Sequence, residues 1–275
     1  MLEKHHIIDL FCVVSDLFPF THRGPGRPSV LSDAELITIL IWHSLAQNAK
    51  TLKAVRENTF LYHRDDFPII PSYEAFVAHT HRIFPKFVFI LSYLMNAAAP
   101  VRILDSTMLP VCKPPRAESH KVAKNIAAFG KNWQGWHYGF KLHMSINLSG
   151  LISAVYFTPA NVHDLHAMPK LLNEHCLFAV GDTHYGAKVM NERIKREFGT
   201  IVIAPPHPTQ NKKIAVEWQI FLLNIRSKIE STSDILKEHM YLVTSFPRSV
   251  KGYFLHYVRV LVGYQIGKVA SLSQG

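Results

Sequence analysis

Pro100 divides this chain between two hydrophobic periods that no single type of element accommodates. Before it, apolar residues recur at three and four positions, the spacing of a helix that buries one face. Residues 5–18 follow that spacing, and Ser32-Asp33-Ala34-Glu35 has the form of a capping box opening the apolar run ELITILIWHSLA. Further helices are expected over 51–62, 72–83 and 85–97, and THRGPGRPSV reads as a Gly- and Pro-rich loop. After Pro100 the alternation is that of strands. Residues 101–109 make one strand, HYGFKLHMSINL and LISAVYF a hairpin around Ser149-Gly150, and CLFAVGD and TIVIAPP two more. Residues 110–135 read as a basic loop, and helices are expected over 163–174, 186–197, 216–240 and 248–265. The expectation is an all-helical domain over 1–100, then an α/β domain over 101–275.

Within the second part, two carboxylates stand where structural needs alone would not put them. Asp105 follows Ile103-Leu104 in the middle of a strand, and Asp182 ends the run LFAVG at the carboxyl end of another. Strands disfavour Asp, and an unpaired buried carboxylate is costly. Strand-end carboxylates of α/β sheets commonly line the site. Asp182 equally suits a plain helix cap, since Thr183 and a helix follow.

A third carboxylate, Glu230, falls on the helix expected over 216–240. Offsets of four and seven residues stay within roughly 40° of each other on a 3.6-residue helix. Arg226, Glu230 and Lys237 therefore share one stripe, beside the apolar Trp218, Phe221, Leu222, Ile225, Ile229 and Leu236. By itself Arg226–Glu230 is an ordinary i,i+4 surface pair, and Ser231-Thr232-Ser233-Asp234 tends to break the helix. The three carboxylates together say more. Clustered, they repel one another, and a bound cation relieves the repulsion. An all-oxygen set suits Mg²⁺ or Mn²⁺ rather than zinc, and two such ions support an in-line displacement at a phosphodiester.

The charge distribution points the same way. Of 30 Lys/Arg and 20 Asp/Glu, residues 1–100 hold 9 and 9; the remaining 21 and 11 give residues 101–275 the whole net charge of +10. A basic domain attracts a polyanion, and nucleic acid is the commonest. Between 111 and 131, Lys113, Arg116, Lys121, Lys124 and Lys131 face only Glu118, a net of +4, with Trp133 and Trp136 next to them. That segment reads either as a grip on DNA backbone or as solvated surface. His137, Lys141 and His143 alternate on one strand face, directed at DNA or at the site, and His184 lies two residues past Asp182. Asp164, in TPANVHD, reads as a helix cap. Arg23, Arg27, Lys50, Lys53 and Arg56 would suit a helix-turn-helix, although dimerisation is an equal reading of the helical region.

Other classes fare worse. His163, His166, His175 and Cys176 lack finger spacing, so zinc is not expected. The three cysteines include no C-x-x-C pair, which fits a reducing cytoplasm. Asp9 and Asp16 interrupt the first apolar stretch, so no signal peptide is expected, and the apolar run from Phe87 meets Asn96 and Pro100 too soon to span a bilayer.

These residues also carry a resemblance. ILDSTMLPVCKPPR, GWHYGFKLHMSINLSGLI, TPANVHD, VGDTHYG and the spacing Arg226-x₃-Glu230-x₆-Lys237 resemble the DDE transposases of bacterial insertion sequences, most closely the insertion-sequence 982 family. GRPSVLSDAELITILIW, near the amino terminus, is similar to that family too. The family's larger signature has a tyrosine three residues before the arginine, where this chain has Leu223. The resemblance implies a ribonuclease H-like fold over 101–275, with Asp105, Asp182 and Glu230 as catalytic residues and ligands of two Mg²⁺ or Mn²⁺ ions. It implies binding of terminal inverted repeats, cleavage at the element ends and joining to target DNA by a DNA-bound dimer, with Arg226 and Lys237 near the cut phosphate. The alternatives are a nuclease on the same fold that does not join ends, and a non-enzymatic DNA-binding descendant. Intact Asp105, Asp182, Glu230 and Lys237 speak against the last.

Overall fold

A computed structural model describes residues 4–19, 29–205 and 217–273. Arg23 and Arg27, with most of the loop expected around them, lie outside the described residues, as does the start of the helix expected at 216. The chain forms two compact units. One comprises residues 1–94, 238–242 and 246–275, the other residues 95–237 and 243–245.

The regular elements described in the first unit are helical: α1 (Lys4–Leu17), α2 (Asp33–Leu45), α3 (Leu52–Tyr62), α4 (Tyr73–Arg82), α5 (Phe84–Leu94) and, from the far end of the chain, α10 (Val250–Ser273), with part of a π-turn between. The expected capping box is present: the Ser32 N–H donates to Glu35 Oε2 at 2.6 Å, and the Glu35 N–H donates to Ser32 Oγ at 3.1 Å. Every residue from Leu255 to Gln265 is buried, so α10 has no solvated face along that stretch. A helix buried all round belongs inside a bundle, and α10 packs on α2, α4 and α5. At Gly263 a Cβ would come within 2.7 Å of the Ser44 Cβ, so the glycine permits the close crossing with α2. Residues 246–275, expected with the α/β domain, fall in the first unit, where a helix buried all round finds its enclosure.

The second unit is α/β. Its sheet runs β2 (Ala128–Asn132), β3 (Gly135–Ile146), β1 (Val101–Cys112), β5 (Phe178–Val180) and β6 (Ile201–Ile203), with β4 (Ile152–Pro159) also paired to β3. β1 and β3 are antiparallel, as are β3 with β2 and with β4, while β1–β5 and β5–β6 are parallel. The helices α6 (Asp164–Leu171), α7 (Lys188–Phe198), α8 (Glu217–Asn224) and α9 (Ser227–Asp234) flank it. Leu104 of β1, Met168 and Leu171 of α6, Ala179 of β5 and Ile194 of α7 close into one buried cluster. β2 and a short 3₁₀ turn at Pro114–Arg116 replace the loop expected over 110–135.

The helix expected over 216–240 is in fact two helices and a π-turn. The N–H groups of Arg226, Lys228 and Ile229 donate three residues back, to Leu223, Ile225 and Arg226, and this tightening ends α8 and restarts the chain as α9. The serine-rich stretch does not break the helix; Ser231 and Thr232 hydroxyls donate to the Ser227 and Lys228 carbonyls at 2.9 Å. The π-turn Ile235–His239 follows, so Lys237 leaves the stripe that a continuous helix would give it.

Arg102, in the first residues of β1, is 1% exposed and, among the described residues, has no acidic partner in hydrogen-bond contact. Its guanidinium donates to the carbonyls of Ala97, Ala99 and Leu171 and to Asn173 Oδ1, tying the strand's start to the end of α6. Arg102→Ala removes these four donations and the buried packing of the guanidinium, and is expected to destabilise the protein by about 3 kcal/mol. Urea unfolding checks this, and an unchanged midpoint would show that water replaces the guanidinium.

Candidate active site

Asp105 sits on β1, at the centre of the sheet, opposite Met144 of β3. On its other side β1 runs parallel to β5 with Ile103 level with Val180. Continuing that register two residues brings Asp182, just past the end of β5, level with Asp105. Both expected strand positions are therefore found, and adjacent parallel strands bring the two carboxylates to one place. Gly181, between β5 and Asp182, lets the ring of the buried Tyr185 fold back over the backbone; a Cβ there would stand 2.5 Å from that ring.

Asp182 is also the cap it was read as. Its Oδ1 accepts the His184 N–H at 2.9 Å and its Oδ2 lies 2.8 Å from His184 Nδ1, at the start of a 3₁₀ turn over Thr183–Tyr185. The hydrogen bond to Asp182 raises the pKa of His184. Asp105 has a harsher setting. Burial pushes its carboxyl up to about 6, the charges of Asp182 and Asp164 add to that, and the Ser106 N–H and Arg226 oppose it. Arg226, at the break between α8 and α9, is half-buried, and its Nε has no hydrogen-bond partner among the described residues.

Asp164 is what the sequence reading undervalued. It opens α6, after the cap residue His163, and its Oδ1 lies 3.2 Å from Lys141 Nζ and 3.4 Å from His143 Nδ1. Burial opposes ionisation there, but the His143 and Ser106 hydrogen bonds and the Lys141 charge hold the carboxyl well below the usual range. Lys141 is mostly buried, and its Nζ also donates to the Val162 carbonyl at 2.9 Å, so it is an internal counter-ion rather than the expected DNA-facing cation. His143 is fully enclosed and spans Asp164 and Thr158 Oγ1, the latter at 2.8 Å. The period-two spacing of Lys141 and His143 was visible in the sequence, but their burial partner, on α6, was not.

The remaining expected residues are spread more widely. Glu230, on the first turn of α9, is 59% exposed and lies 3.7 Å from Arg226. α9 packs on β1, and Lys228 Nζ donates to the Leu148 carbonyl at 2.6 Å. Among the described residues, no three His, Cys, Asp or Glu side chains converge closely enough to hold a metal ion. Lys237 acts electrostatically on His137 of β3, whose pKa burial lowers first. Lys113, Arg116, Lys121, Lys124 and Lys131 are all exposed. Lys50 stands 4.3 Å from the Tyr241 ring, Lys53 pairs with Glu57 at 3.8 Å, and Arg56 Nε donates to the Pro71 carbonyl at 2.7 Å. No described helix is long and apolar enough to cross a membrane.

A mixed sheet of this order, flanked by helices and carrying one carboxylate at its centre and another on the next strand's end, fits a ribonuclease H-like domain of the DDE type. Residues 96–250, more than half of the chain, match the family described as Transposase DDE domain, and the chain belongs to that family. The matched span starts at residue 96 where the second unit starts at Met95, and it contains Asp105, Asp164, Asp182 and Glu230. Membership makes the chain a transposase, with DNA as its partner.

The raised Asp105 pKa has a consequence for stability. Its folded value of about 6 exceeds the ordinary 3.8, so its contribution is fully present below about pH 4 and is lost as the pH rises through 6. In EDTA, Asp105→Asn is expected to match the parent near pH 4. Above pH 6 it should melt higher, by on the order of 3 kcal/mol. Melting curves across that range test this, and a difference that stays flat would mean Asp105 titrates like an exposed carboxylate.

Proposed function

We propose that this chain is the transposase of a bacterial insertion sequence resembling the insertion-sequence 982 family. It binds the terminal inverted repeats, cuts at the element ends and joins the 3′-hydroxyls to target DNA, acting as a DNA-bound dimer in the cytoplasm at the nucleoid. The observation that carries this reading is the half-buried Asp105 carboxyl level with Asp182, which follows the neighbouring parallel strand, in a Transposase DDE domain. Two carboxylates that share a site and are held against their own repulsion make a donor set for hard divalent cations.

Asp105 and Asp182 would hold Mg²⁺ or Mn²⁺, with Glu230 of α9 as the third carboxylate, released from its Arg226 contact. When bound, such ions supply charge stabilisation at the attacking and leaving oxygens of an in-line phosphoryl displacement. The residues of the chain do the rest. Deprotonated Asp105 and Asp182 concentrate negative charge at the centre of the sheet. Arg226, whose charge acts on Asp105, would meet a DNA phosphate beside them. Lys237, beyond α9, would add a second positive charge. The exposed cations Lys113, Arg116, Lys121, Lys124 and Lys131 meet backbone phosphates further out. Asp164 is already paired with Lys141 and lies against His143, so it braces the site instead of binding a cation.

The experiment uses labelled element-end DNA with Mg²⁺ or Mn²⁺, and EDTA as control. The parent protein is expected to yield cut and joined products. Asp105→Asn, Asp182→Asn and Glu230→Gln should each abolish both while DNA binding stays within a few-fold. Products cut but never joined would instead make the chain a nuclease, and near-normal cleavage by one variant would remove that residue from the site. Independently of activity, Mg²⁺ should raise the melting temperature of the parent and not that of Asp105→Asn. DNA affinity should also fall steeply with salt, with a log–log slope of about −4 if five phosphates are contacted. A flat salt dependence would contradict the role given to the basic surface.

A further inference from the structure

The hairpin of β2 and β3 has an aromatic surface that the cleavage site does not use. Phe129 pairs with Tyr138 and Lys131 with Trp136 across the two strands, so all four side chains share one face. Phe129 lies 5.0 Å from Tyr138 and 6.4 Å from Trp136, nearly perpendicular to the latter, and Lys131 Nζ stands 5.8 Å from the Trp136 ring. Tyr138 is buried and anchors the row, whereas Phe129 is 44% and Trp136 57% exposed. The tip is more extreme: Trp133 is 90% exposed.

The tip is nonetheless ordered from beneath. Asn132 Oδ1 accepts the Gln134 N–H at 2.9 Å and lies 2.9 Å from His137 Nε2, on the other face of the hairpin. His137 is also the residue on which Lys237 acts, so the hairpin belongs to the same side of the unit as the chain beyond Glu230. Lys113, Arg116, Lys121, Lys124 and Lys131 are exposed, and among the described residues none forms a salt bridge. Exposed planar rings on a hairpin that also carries Lys131, close in sequence to the other exposed cations, match the chemistry of an unpaired nucleotide: a π-face for the base and positive charge for its phosphates.

We propose that the β2–β3 hairpin is a stacking site for an unpaired base of DNA, with Trp133 and Trp136 as its platform and the neighbouring lysines and Arg116 holding the flanking phosphates. This rests on the reading of the chain as a DNA-binding transposase and adds to it a preference for DNA that is frayed or overhung.

The test is a titration of the full-length protein in EDTA with two labelled duplexes of one sequence, one blunt and one carrying a three-nucleotide overhang. The overhung duplex is expected to bind more tightly, by roughly 5- to 150-fold, the range of a base–aromatic stack, and to quench tryptophan emission. Trp133→Ala should erase that preference and leave blunt-duplex affinity unchanged. At 90% exposure the ring contributes no packing, so the fold survives its removal. Trp136→Ala should weaken the preference too. Equal binding of the two duplexes by the parent, or an undiminished preference in Trp133→Ala, overturns the proposal. So does loss of self-association in Trp133→Ala, by sedimentation, with the preference intact; the face would then be a contact between copies. Asp105→Asn separates the two readings. A preference retained by that variant, with the parent unable to cut element ends, keeps the stacking site and sinks the transposition chemistry.

Discussion

Negative charge gathered at the centre of a sheet is the constraint around which the second unit is arranged. Asp105 occupies a mid-strand position that ordinarily takes an apolar side chain, and burial makes its ionised form unfavourable. The parallel pairing of β1 with β5 compounds the difficulty by setting Asp182 beside it. No energetic advantage to folding comes from that juxtaposition; under the proposed function it is the ligand set for cations.

The contrast with Asp164 shows how differently the same chemical group can be used one layer away. Asp164 is also well enclosed, but it has Lys141, His143 and Ser106 around it, and its charge is stabilised rather than strained. Alternation along β1 and β3 explains the division. Ser106 lies opposite His143 in the antiparallel register and so shares its face, while Asp105, one residue earlier, is turned to the other. Lys141 and His143 thus serve Asp164 and leave Asp105 without a buried cation of its own. Arg226, where α8 gives way to α9, is the positive group that acts on Asp105. A continuous helix over 216–240 would have set Arg226, Glu230 and Lys237 in one stripe; the break and the π-turn instead distribute them.

Much of this was legible beforehand, for reasons that can be named. Residues such as Leu104 and Ala179 belong to apolar runs whose length and period announce strands, so Asp105 and Asp182 stood out against them. The cap at Ser32 and Glu35 is a local interaction of four residues and was readable as such. β2 was not, because AFGKN is short, has no alternation of apolar and polar residues and is stabilised by its partner β3 rather than by its own pattern. The choice between DNA and the site for Lys141 stayed open in the sequence because a lysine's burial is decided by whether a carboxylate comes to meet it, and Asp164 arrives from a different element.

The chain's linear pattern was sufficient for the element types, the two strand-borne carboxylates and the basic character of everything after Pro100, since these depend on neighbours in sequence and on summed charge. Tertiary structure alone decided the partners. It placed α10 among helices more than 150 residues away in sequence, set Asp182 level with Asp105 through a parallel pairing across more than 70 residues, and enclosed Lys141 with Asp164. Each of these turns on which surfaces are excluded from water together. That is a property of packing between distant segments, which periodicity along the chain does not encode.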